Sequence, residues 1–155
     1  MSIQDWGAIG EIIGGVGVIV TLLYLAAQIR QNTKQVASAS LQALSSRVEA
    51  RMMANATNAE FAELLQRWRD GEELTEVELS RANSWFGSWV SDLQDGYRQF
   101  KLGLVSEGVL KGRIYTVMQL IGTSHGRENW KMLREIVDPE FRDWLEGKID
   151  HVEST

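Results

Sequence analysis

Side chains able to do chemistry are few in this chain, and they are dispersed. It has two histidines, His125 and His151, and no cysteine, which excludes a disulfide framework, a Cys-based zinc site and a Cys nucleophile. A di-iron carboxylate bundle needs Glu-x-x-His on two helices, and that spacing is missing. So are a Gly-rich phosphate loop, a Gly-x-Ser-x-Gly elbow and a His-Glu-x-x-His pair. His125 stands beside Ser124 in the stretch Gly122-Thr123-Ser124-His125-Gly126, which reads as a loop, more simply an exposed turn than a binding loop. Asp92 with Asp95, or Glu72, Glu73 and Glu76, have the chemistry to gather a cation. Solvated faces and helix N-terminal charges explain them with less. Trp85, Trp89, Trp130 and Trp144 fall at apolar helical positions, so core packing outranks a ligand cage. These residues imply no catalytic group, no metal and no cofactor, and the expectation is a protein that is not an enzyme.

The composition narrows the class further. With 155 residues, 44% of them apolar, 24% charged and a single proline, Pro139, the chain has the makeup of one folded domain with an appendage. Sixteen Lys+Arg against 21 Asp+Glu give a net charge of -5, the wrong sign for a general nucleic-acid binder. The lack of cysteine fits a reducing compartment.

The apolar residues are concentrated near the N-terminus. From Ile12 to Ile29 the chain runs for 18 residues without a charge. At about 1.5 Å per residue such a helix is about 27 Å long, close to the hydrocarbon core of a bilayer at roughly 30 Å. Trp6 precedes it as an aromatic anchor, and Arg30 and Lys34 follow as snorkelling cations. Residues 6–30 are therefore predicted to form one transmembrane helix. A signal peptide would need a basic n-region, whereas Asp5 and Glu11 are acidic and no basic side chain precedes Arg30. A buried helix of a soluble domain is the stronger rival, since Glu11 and the glycines weaken the hydropathy. Arg30, Lys34, Arg47 and Arg51 all follow the span, which predicts an N-terminus outside and residues 35–155 in the cytoplasm.

Within the span the small residues are in register. Gly7, Gly10, Gly14, Gly17 and Thr21 recur at alternating intervals of three and four, so they share one helical stripe. A stripe of small residues lets another helix backbone approach closely, and a single span must find that helix on another molecule. The same spacing continues to Tyr24, Gln28, Gln31 and Gln35. In a ring of copies, Gln28 and Gln31 would form polar collars; as interfacial residues they would simply meet water. Glu11, beside the seam at the opposite membrane edge, is a functional candidate by depth, with snorkelling as the plainer account.

The string Gly10-Glu11-Ile12-Ile13-Gly14, followed by Thr21-Leu22-Leu23-Tyr24-Leu25-Ala26-Ala27-Gln28-Ile29-Arg30-Gln31-Asn32-Thr33-Lys34, resembles the opening of a family of small bacterial single-span membrane proteins. Trp130 and the Asp138-Pro139-Glu140-Phe141 turn are similar as well. The resemblance implies a bacterial inner-membrane protein with a helical tail, and it brings no activity and no catalytic residue with it.

The elements that would position these residues are helical throughout. Ser2 with Asp5 is a capping-box pattern, and no Gly or Pro interrupts the chain between Gly17 and Gly71. The first helix is thus expected to run on into a long cytoplasmic helix with Ala37, Leu41, Leu44, Val48 and Met52 as its apolar stripe. Thr57 with Glu60 predicts a new helix start, giving a helix over 58–69 that ends at Asp70-Gly71. Thr75 with Glu78 opens the strongest tail helix, over 76–103, with Phe86, Trp89 and Leu93 inward. Ser106 is expected to cap a helix over 107–121 with Ile114 and Met118 inside. A short helix over 127–136 follows, with Trp130 and Leu133 inward. Asp138 then caps a last helix, with Pro139 at its first position and Trp144 and Ile149 in the core. The fold class is all-α: a membrane anchor and oligomerisation helix over 1–34, and a cytoplasmic helical bundle over 35–155.

Three functional classes fit this layout. The first is a homo-oligomeric membrane assembly, a scaffold or a pore, held by the glycine seam and surrounded by membrane lipid. The second is an accessory or regulatory subunit docked through that seam on other membrane proteins. The third, more remote, is an enzyme or small-ligand sensor whose pocket lies in the tail. No class includes a nucleic-acid partner.

Overall fold

A computed structural model describes residues 3–153, with side-chain surroundings for residue 11 and residues 14–149. Ser2 of the expected Ser2–Asp5 cap lies outside the described residues, and the side-chain surroundings of Asp5, Trp6, Gly7, Gly10 and His151 lie outside them as well. Six helices and no strand occur among the described residues, as the all-α reading expects. They are α1 (Ile3–Thr57), α2 (Ala59–Asp70), α3 (Glu76–Lys101), α4 (Glu107–Ile121), α5 (Ser124–Leu133) and α6 (Pro139–Glu153). The chain divides into two compact units, Met1–Ala39 and Ser40–Thr155.

The first unit is helical, and large apolar side chains among its described residues, Val16, Ile19, Leu22, Leu23 and Ile29, are exposed. Within residues 14–57, an 18-residue window has a mean hydropathy of 1.2, and none of it is buried. α1 is therefore long and apolar enough to cross a membrane.

The second unit is a helical bundle built around α3, against which α2, α4 and α5 pack. Leu65, Trp68, Phe86, Leu93, Leu110, Val117, Phe141 and Leu145 are fully or almost fully withdrawn from solvent. Each Leu or Phe so buried contributes about 1.5–3 kcal/mol relative to exposure. Trp89 and Ile114 are buried, and Met118, Leu133, Trp144 and Ile149 pack against the core, in line with the inward positions predicted for them. Residues 40–57 of α1 belong to this bundle. Leu44 is fully buried there and Val48 packs against the core, whereas Leu41 and Met52 stay exposed.

Local chemistry sets the boundaries. α2 ends where Gly71 adopts φ 77°, the left-handed conformation that glycine tolerates, and its N–H reaches the Trp68 carbonyl. Thr75 and Glu78 form the predicted capping box at α3. Asp138 Oδ1 accepts from the N–H groups of Glu140 (3.0 Å) and Phe141 (3.4 Å), with Pro139 opening α6. Ser106 stands at the start of α4 without a capping hydrogen bond.

Two expected boundaries move. α2 is capped by Asn58, whose Oδ1 accepts from Phe61 N at 2.9 Å, and not by Thr57. The Thr57 hydroxyl instead donates to the Met53 carbonyl at 2.7 Å, inside α1. The 122–126 stretch is not a loop for most of its length: Thr123 accepts from Gly126 N at 3.1 Å and α5 starts at Ser124. That start needs Gly126, because a Cβ there would lie 1.8 Å from the Leu120 carbonyl oxygen.

Candidate functional site

The small-residue stripe presents an open face. A Cβ on Gly14 or Gly17 would meet nothing within 4 Å, so neither glycine is small because of a neighbour within this chain. Thr21 donates its hydroxyl to the Gly17 carbonyl at 2.8 Å, which satisfies it inside its own helix and leaves its methyl as the contact group. Further along the stripe Gln28 Nε2 donates to the Tyr24 hydroxyl at 2.7 Å. One donor of the Gln28 amide is thus used within the helix, while Gln31 is exposed. Glu11 is exposed too.

The most concentrated polar chemistry lies in the bundle, around Asp92 on α3. Its side chain is 1% exposed. Arg51 Nη2 approaches Oδ2 at 2.9 Å, Arg113 Nε approaches the same oxygen at 3.1 Å, and Arg47 Nη1 lies 3.6 Å from Oδ1. Arg47 also donates to Asp95 Oδ2 at 2.7 Å, and this hydrogen bond is the main reason its guanidinium holds its proton more tightly than usual. The remaining donors are partly used by backbone: Arg51 Nη1 to the Ser88 carbonyl (3.3 Å) and Arg113 Nη1 to the Val109 carbonyl (3.2 Å). The Arg51 guanidinium also lies 4.3 Å over the Trp89 ring. Three arginines and two carboxylates leave an excess of positive charge at this point.

This cluster corrects the reading of Asp92 as a residue of a solvated face, whereas Asp95, with its side chain 42% exposed, stays at the surface. Asp92 is a buried carboxylate clasped by α1 and α4, and a cation has no place beside three guanidinium groups. A signal was present in the sequence. Trp85, Trp89, Asp92 and Gly96 follow each other at intervals of four, three and four, so Asp92 stands on an inward stripe where a charge demands partners. Glu72 has a different fate, pairing with Arg67 at 3.3 Å. Among the described residues, no group of three or more His, Cys, Asp or Glu comes together.

His125 also differs from the expected exposed turn. It is half-buried in the first turn of α5, with its ring stacked on Trp68 at a centroid distance of 6.2 Å. Its Nε2 lies 2.8 Å from the Glu72 carbonyl oxygen, an acceptor, so this nitrogen carries the proton. His125 ties α5 to the segment after α2 and presents no nucleophile–base pair.

No family model, curated protein or solved structure matches the chain. What these residues do therefore follows from their own geometry. Two features stand out: an apolar helix with an open glycine face, and a bundle whose buried acid is held by arginines from two other helices.

Proposed function

We propose that the chain is a bacterial inner-membrane protein that self-associates through its anchor into a homo-oligomeric scaffold or pore. Residues 6–30 span the bilayer with the N-terminus outside, and residues 35–155 form the cytoplasmic part. One observation carries this reading. The apolar residues from Val16 to Ile29 are exposed, and the face bearing Gly14 and Gly17 is open beside them. Lipid can cover the apolar side chains, while a groove of small residues is best filled by a helix backbone. Identical chains present the same stripe at the same depth, which makes a second copy the natural occupant. The resemblance of residues 7–34 to the bacterial single-span family supports the membrane setting.

The contact beyond the bilayer is smaller than the Leu41–Val48–Met52 stripe suggests, because Leu44 and Val48 serve their own bundle. Only Leu41 and Met52 of that stripe remain outward for a neighbour. In a closed ring Gln31 would carry the polar collar more freely than Gln28, whose amide already engages Tyr24.

The test is the mass of the protein purified in mild detergent. The expected result is a single, defined oligomer that Gly14→Leu or Gly17→Leu dissociates and Val20→Leu leaves intact. A wild-type monomer, or normal assembly in both glycine variants, would overturn the reading. Stoichiometric co-purification of a different membrane protein would instead make the chain an accessory subunit.

A further inference from the structure

A cavity of about 450 Å³ opens in the bundle beside the Asp92 cluster, between residues 51–55 of α1, α3 and α4, with Arg69 of α2 at its edge. Its size falls within the roughly 300–1,000 Å³ of small-molecule sites. The walls are aromatic: Trp85 and Trp89 meet edge to face at a centroid distance of 6.2 Å, and Tyr115 is exposed among the lining residues. Two arginines line it, Arg51 and Arg69, and no carboxylate does so among the described residues. Asp92, which does not line the cavity, answers the charge of Arg51. Arg69 makes no ion pair among the described residues. The lining residues also hold polar atoms that are buried without a protein partner: Arg51 Nε, the indole N–H of Trp85 and of Trp89, and Asn55 Oδ1. These atoms have almost no accessible surface of their own, so the cationic donors within reach of a ligand in the cavity are those of the exposed Arg69.

A second cavity, about 560 Å³, shows what a non-selective surface looks like by contrast. Its cations are already engaged: Arg134 with Glu146, which itself lines the cavity, at 3.2 Å, Lys131 with Glu128 at 2.7 Å, and Arg127 with the Gly122 carbonyl. The smaller cavity is the one that keeps a lining cation, Arg69, outside any ion pair among the described residues.

We propose that the cavity bounded by Arg51, Arg69, Trp85, Trp89 and Tyr115 binds a small aromatic carboxylate. The carboxylate meets Arg69, whose planar guanidinium suits a planar acid. The aromatic body lies against the indoles and the Tyr115 ring. This activity is independent of self-association through the anchor, since every residue named belongs to the helical domain.

The experiment is calorimetric titration of the full-length chain in lipid nanodiscs with 2-naphthoate and, separately, with uncharged 2-naphthamide, each against empty nanodiscs. The acid is expected to bind about tenfold more tightly than the amide, the difference made by one charge-assisted hydrogen bond. Arg69→Gln, at an exposed position, should erase that preference. Tyr115→Ser should weaken both ligands together, and Arg127→Gln, at the second cavity, should change neither. No heat from 2-naphthoate at about 1 mM, the weak limit of specific binding, would overturn the proposal. Equal affinity for acid and amide would also overturn it, as would an unaltered preference in Arg69→Gln.

Discussion

Arg51 on α1 reaches to 2.9 Å from the carboxylate of Asp92 on α3, and both side chains are largely withdrawn from water, at 14% and 1% exposure. A buried pair of this kind is weak evidence of net stabilisation, because desolvation opposes the Coulomb attraction. Its removal from one side is another matter. The remaining charge is left buried without its counterion.

Asp92→Ala is therefore expected to destabilise the bundle by about 3–5 kcal/mol, since Arg51 and Arg113 lose their common acceptor. Arg47→Ala, whose side chain is 47% exposed, should cost no more than about 1 kcal/mol. Denaturant unfolding followed by tryptophan fluorescence measures both. Equal effects from the two substitutions would show that burial does not set the cost.

Trp89 is buried in the core while its ring carries the Arg51 guanidinium. Trp89→Ala should cost on the order of 3 kcal/mol through lost packing. A melting temperature unchanged from wild type would move Trp89 out of the core.

Two glycines should respond with opposite signs to alanine. At Gly126 the added Cβ would strike the Leu120 backbone oxygen, which cannot rotate away, so Gly126→Ala should destabilise by about 1–3 kcal/mol. At Gly87, inside α3, the Cβ meets nothing within 4 Å, and Gly87→Ala should stabilise by about 0.5–1 kcal/mol through helix entropy. Thermal melts of the two variants give the comparison. Destabilisation at Gly87 would show that unrecognised packing requires that glycine.

Glu78 holds its carboxylate below the usual range. The Thr75 backbone N–H is the largest cause, followed by the Thr75 hydroxyl and the Arg67 guanidinium. A lowered folded-state pKa contributes stability that is present above the unfolded value of 4.5 and is lost as the pH falls through the folded one. Wild type should thus exceed Glu78→Gln in unfolding midpoint at neutral pH, and the two curves should converge in acid. A gap that does not vary with pH would mean that the charge of Glu78 contributes nothing.

The sequence alone determined the features that depend on neighbours in the chain. The stop at Asp70-Gly71, the Thr75–Glu78 box and the Asp138-Pro139 start are all legible because a cap is satisfied within three or four residues. The inward stripe of Phe86, Trp89 and Leu93 follows from helical period alone. Single-residue choices were harder, since Thr57 and Asn58 both have capping chemistry and only the path of the backbone selects Asn58. What tertiary structure decided is which side chains meet across long separations. The inward stripe of Trp85, Trp89 and Gly96 marks Asp92 as an acid in need of partners, yet only the fold names them, Arg47, Arg51 and Arg113, brought from two other helices. The apolar stripe of α1 was visible, yet packing alone determined that Leu44 and Val48 turn inward while Leu41 and Met52 do not. The cavity beside Trp89 has the same origin, because it is space left where three helices cross, and one-dimensional periodicity carries no record of such space.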